Sequence, residues 1–99
     1  MSNKTIRVVA RIVARPEKTA ELRAVLIDLV EPTRREKGCI SYQLHQNLAN
    51  ACDFVCVEEW ESGSAIEAHM KTPHVQQAFA KAGPLLASAP DISSYSLIK

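Results

Sequence analysis

Between Thr5 and Arg15 the residue character alternates at almost every step. Ile6, Val8, Ala10, Ile12 and Ala14 fall on one side of an extended chain, and Arg7, Val9, Arg11, Val13 and Arg15 fall on the other. A period of two fits no helix, so the segment is a strand with one apolar face and one face that mixes valine with arginine. The next segment changes period. Leu22, Val25, Leu26, Leu29, Val30 and Thr33 recur at three- and four-residue spacing, which makes a stripe along one side of a helix, and Pro16 suits its first turn. Pro32, having no backbone N–H, is expected to kink or loosen the last turns, and Gly38 to end the segment.

Alternation returns from Cys39 to Gln46, with Ile40, Tyr42 and Leu44 on one side, and again from Cys52 to Glu61 with Phe54, Val55 and Val57. The turn-prone Asn47 to Asn50 between them makes a hairpin. Ser62 or Ser64 can cap the following helix, Ser64 with Glu67 three residues on as in a capping box. Thr72 and Pro73 then restart a helix whose stripe is Val75, Ala78, Phe79 and Ala82. Gly83 and Pro84 loosen its end, and after Pro90 the set Ile92, Ser94, Ser96 and Ile98 alternates against Ser93, Tyr95 and Leu97 as a fourth strand. The order strand, helix, strand, strand, helix, helix, strand is the ferredoxin-like α+β plan, a four-stranded antiparallel sheet with helices on one face. Its other face is left open, with Val9, Val13, Val55 and Val57 at the centre and Arg7, Arg11, Arg15, Asp53, Glu59 and Glu61 around them. Solvated charge pairing accounts for those charges, and a self-complementary patch equally suits a homodimer.

A chain of 99 residues is long enough for one domain, taken as 1–99, and too short for two. Twelve basic against eleven acidic residues leave a formal charge of +1, which gives no electrostatic case for nucleic acid or an acidic membrane. No stretch approaches the roughly 18 apolar residues of a membrane span. Arg7, Arg11 and Arg15 interrupt the first apolar run, so a secretory signal is not expected and the reading is cytoplasmic. Cys39, Cys52 and Cys56 are then expected to stay reduced. Four residues of strand separate Cys52 from Cys56 by ~13 Å, too far for a disulfide. Strict alternation puts Cys39 on the opposite sheet face from the other two.

Three residue groups invite a chemical reading. The third strand turns Cys56, Glu58 and Trp60 toward the helices. A carboxylate facing a core must pair, titrate or accept hydrogen bonds, so Glu58 is a structural acceptor for helix-end donors, the favoured reading, or a site residue. Trp60 is core or the wall of an aromatic-ligand pocket. His69 follows Ala65 and Ile66 by four and three residues and therefore points inward with them. His74 in the first turn of the last helix can share its pocket, although an exposed histidine is the plainer reading. Imidazole ordinarily titrates near neutrality, which suits proton transfer. A metal site is not expected, because two histidines five apart lack a third ligand at useful spacing. Phosphate-loop, nucleophile-elbow and flavin fingerprints are absent from the sequence.

The series Val9-Ala10-Arg11-Ile12, Leu22 to Val30, Pro32-Thr33-Arg34, Gly38-Cys39-Ile40-Ser41-Tyr42, Glu58-Glu59-Trp60-Glu61-Ser62 and Ala68-His69-Met70-Lys71-Thr72-Pro73-His74 resembles the antibiotic biosynthesis monooxygenase domain. The resemblance implies a dimeric α+β barrel and a monooxygenase that oxidises a quinol or polycyclic phenol with molecular oxygen and no cofactor, neither flavin nor metal. It assigns proton transfer to His69, with Trp60, Tyr42, His74, Phe79 and Glu58 around the small aromatic substrate. Heme-degrading relatives use an asparagine, a tryptophan and a histidine where this chain has Ala10, His69 and Phe79, so that activity is disfavoured. Two alternatives stay open: an isomerase of a phosphorylated quorum-signal sugar, and a non-catalytic dimeric ligand-binding or stress-response module.

Overall fold

The computed structural model describes residues 5–99. The alternating first segment is β1, Ile6–Val13, and after a 3-10 turn at Pro16–Lys18 the apolar stripe winds into α1, Thr19–Arg34. The hairpin is β2, Cys39–Gln46, with β3, Asp53–Trp60. Two helices follow, α2 at Gly63–Met70 and α3 at Pro73–Ala82, before β4 at Asp91–Ser96. Pro32 does not end α1, which runs on to Arg34, and the Arg35 N–H closes onto the Glu31 carbonyl at 3.3 Å. So close to the end of the helix, proline forfeits a single ladder bond. Ser62, rather than Ser64, caps α2 by accepting from the Ala65 N–H, and Thr72 caps α3 through the Val75 N–H.

Antiparallel pairing in the order β2-β3-β1-β4 places β1 and β3 at the centre, with β2 and β4 as edges. The expected barrel is therefore corrected: β2 and β4 do not meet, and the sheet is open. Four strands are too few to curl around an interior that side chains can fill, which takes about eight. The helices lie on one face, over a core in two parts. Ala14, Leu22, Leu26, Phe54, Ala82 and Leu85 form one, and Val8, Ala10, Tyr42, Cys56 and Trp60 the other. On the far face Arg11 meets Asp53 at 3.0 Å and Arg7 approaches Glu59 at 4.0 Å. These are the anticipated solvated pairs, each worth ~1 kcal/mol or less.

The cysteine placement also needs correction. Cys39 and Ser41 pair with the adjacent β3 residues Trp60 and Glu59, so Ile40 is an extra residue bulged out of register. One such insertion flips every side chain upstream of it. Ile40 is turned out to 47% exposure, and Cys39 packs beside Trp60 and Cys56 on the helix side. All three cysteines are free thiols.

Gly38, at φ 91°, makes the turn into β2, and an added Cβ would stand 2.5 Å from the Ala65 Cβ of α2. Gly38→Ala is expected to cost about 1–2 kcal/mol from the left-handed backbone alone. Displacement of α2 adds to that cost, and a fall in the denaturant midpoint measures the sum. An unchanged midpoint would show that neither constraint operates.

Candidate functional site

The inward face of the sheet and the helices above it do not close completely. They leave a cavity of about 80 Å³ between Val8 and Ala10 of β1, Tyr42 of β2, Cys56 and Glu58 of β3, and His69 of α2. Phe79 of α3, 41% exposed, stands at its edge with Ile92 of β4. The strands fix the floor because their period of two aims alternate residues at it. The Ser62 cap sets the start of α2 and so the azimuth at which His69 enters.

Of the residues singled out in the sequence, Tyr42, Glu58, His69 and Phe79 line this cavity. Trp60 and His74 do not. Trp60, fully buried, lies behind the wall, its ring centroid 4.7 Å from that of His69, and its indole N–H donates to Glu58 Oε1 at 2.8 Å. The donor that satisfies Glu58 is thus a neighbouring side chain and not a helix end. His74 sits outside the cavity in the first turn of α3.

A residue missing from the sequence reading joins the two histidines. Glu36, in the turn after α1, accepts from His69 Nδ1 at 2.8 Å and from His74 Nε2 at 2.5 Å, both at Oε2. An ionised carboxylate only accepts, so Nδ1 of His69 and Nε2 of His74 carry the protons in these bonds. In the neutral ring this leaves the lone pair of His69 on Nε2, the tautomer that a general base working through Nε2 requires.

Charge inside the cavity is tuned mainly by burial. Glu58, 5% exposed, has its carboxyl pushed up to about 7 by burial; the Trp60 hydrogen bond opposes this, and the charge of Glu36 adds to it. Burial pushes the Cys56 thiol up to about 11, and raises the Tyr42 phenol well above its ordinary range, with Cys56 beside it contributing. Cys56 therefore stays protonated at neutral pH and is no nucleophile. Proton exchange near neutrality is thus open to Glu58, and His69, hydrogen-bonded to Glu36, lines the same cavity.

Residues 5–81 match the family described as antibiotic biosynthesis monooxygenase. The chain belongs to that family. A relative from Mycobacterium tuberculosis, provisionally named a monooxygenase, is 37% identical over 81 residues, covering 82% of this chain and 79% of its own. An uncharacterised Synechocystis protein is 32% identical over 92 residues, and the chain spans 63% of its length. The solved structure of the Mycobacterium protein superposes with a TM-score of 0.90 at 30% identity, covering 96% of each chain. A Pseudomonas aeruginosa structure reaches 0.92 at 30% identity, covering 100% of this chain and 98% of its own.

Within this family member the signal for Glu36 was faint. It is the one acid in the basic run Arg34, Arg35, Glu36, Lys37, which reads as a solvated helix end. Only the fold carries that turn over α2 and α3.

Proposed function

We propose that this chain is a cofactor-free monooxygenase that oxidises a quinol or polycyclic phenol with molecular oxygen. The observation that carries the reading is the oriented pair Glu36–His69 on the wall of a largely apolar cavity. His69 Nε2 takes the phenolic proton, and the electron-rich anion then supplies the electrons for oxygen itself. The stoichiometry needs no further reductant: a hydroquinone and one O2 give a hydroxyquinone and one water, one oxygen atom entering the ring. The apolar walls keep bulk water from the anion, and Glu58, poised near neutrality, can return a proton to reduced oxygen. The cavity is smaller than the ~150 Å³ that accommodates benzene elsewhere, so substrate entry requires Phe79 and α3 to give way. Among the described residues lining the cavity there is no Arg or Lys, which speaks against a phosphorylated sugar.

Oxygen uptake across a panel of benzo-, naphtho- and polycyclic quinols, on protein with metal and flavin contents measured, tests the proposal. Uptake above the uncatalysed rate is expected for at least one of them. Quinol binding that quenches Trp60 with no uptake would instead identify a binding module. We further propose that the half-buried valines of the open sheet face are covered by a second copy. Sedimentation is expected to show a pair, and a strict monomer at tens of micromolar, an ordinary concentration for such contacts, would sink that idea. Among the described residues no helix is long and apolar enough to cross a membrane.

A further inference from the structure

The cluster that orients His69 has a second chemical capacity. His69 Nδ1, His74 Nε2 and a Glu36 carboxylate oxygen come from three separate segments and all lie within 4.8 Å of one another. We propose that they bind one divalent transition-metal ion of the zinc type, and that the ion, when bound, silences His69 as a base.

Two imidazoles and one carboxylate are a donor set that suits zinc, nickel or cobalt, whereas magnesium and calcium prefer oxygen alone. Metal–ligand bonds of 2.0–2.1 Å in a tetrahedron imply ligand atoms about 3.3 Å apart. The two nitrogens now stand 2.8 and 2.5 Å from the shared oxygen. To admit an ion they must therefore part from it by less than about 1 Å and, from a separation within 4.8 Å, close on one another by up to about 1.5 Å, both within the reach of side-chain torsions. Charge favours the exchange, since Glu36 and Glu58 lie near enough for one to raise the other's proton affinity. Access is from solvent past His74, whose side chain is 27% exposed, while Glu36 at 12% and His69 at 7% are more enclosed. The protons of the two hydrogen bonds must leave these atoms for the ion to bind. A neutral His69 ligated at Nδ1 then carries its proton on Nε2, the atom that holds the lone pair of the neutral ring in the metal-free state. Metal and base therefore exclude one another. The effect on rate rests on the proposed monooxygenase reading, and the binding itself does not.

The full-length protein, freed of metal with a chelator, is titrated with Zn2+ by calorimetry and with Co2+ by its visible absorption. One ion per chain is expected, with the intense bands of a low-coordinate cobalt site and a rise in Tm. His74→Ala and Glu36→Gln are each expected to weaken binding by more than about 100-fold, beyond the usual loss from an outer partner. His45→Ala, an exposed histidine on β2, leaves it intact. No stoichiometric binding, or binding that survives both cluster variants, overturns the site. If the protein oxidises a quinol, saturating Zn2+ is expected to slow it to the rate of His69→Ala, and unaffected turnover by the metal-bound protein overturns the silencing. Absent turnover with intact metal binding would reject the monooxygenase reading alone.

Discussion

Replacing His69 by alanine is expected to slow quinol-dependent oxygen uptake by about 10²- to 10⁴-fold, the usual cost of losing a general base. The protein should remain folded. His69 is 6% exposed and packs against the rings of Tyr42 and Trp60, so truncation removes contacts, yet Glu36 keeps its second hydrogen bond from His74 and is not orphaned. A stability loss of about 1–3 kcal/mol is expected, the range of an ordinary core truncation without an abandoned charge. His69→Gln sharpens the test, because its amide N–H can still donate to Glu36 while the side chain takes up no proton in the neutral range. Circular dichroism establishes folding and an oxygen electrode the rate. Folded variants that turn over at the wild-type rate would make His69 a structural residue.

That experiment addresses a residue whose inward direction was legible in the sequence, from its spacing to Ala65 and Ile66. The order of all seven elements was legible for the same reason: β1, α1, β3 and α3 each bury one face, and burial writes its period into the chain. The bulge at Ile40 was not, because register is settled by pairing with Trp60 and Glu59, far away in sequence, and the apolar Ile40 gives no local sign that it will be turned outward. Trp60 shows a further limit. Its direction was read correctly, but whether an inward ring lines a cavity or lies behind it depends on what α2 places in front, here His69. Glu36 marks the furthest limit, since a contact among three segments that are separated by a sheet hairpin and a helix break leaves no periodic trace. The barrel expectation failed differently. It came from the resemblance, and a single four-stranded sheet cannot meet it.

Glu58→Gln is expected to remove a pH dependence of stability that the wild-type protein carries. Burial holds the Glu58 carboxyl at about 7 in the folded state, against about 4.5 for the ordinary group. Because the folded-state value is raised, the folded form binds more protons than the unfolded chain between these two values, and stability falls as pH climbs through that window. Below about pH 4.5 the group is protonated in both states and contributes nothing to the difference. Above about pH 7 it is ionised in both, and keeping the buried carboxylate costs about 3 kcal/mol, at 1.36 kcal/mol per unit. The variant cannot ionise, and its amide oxygen can still accept from the Trp60 indole N–H, which removes the charge while preserving the bond that fixes the side chain. Wild type and variant should therefore have similar denaturant midpoints at pH 4, and the variant should be the more stable by about 3 kcal/mol at pH 8. Taking the difference cancels contributions common to both proteins, including that of Asp53, whose carboxyl is held below its ordinary value by hydrogen bonds from Asn47 and Arg11. A pH-independent difference would mean that Glu58 is already ionised at no cost. It could then hold no proton near neutrality, and the return of a proton to reduced oxygen would have to come from elsewhere in the cavity.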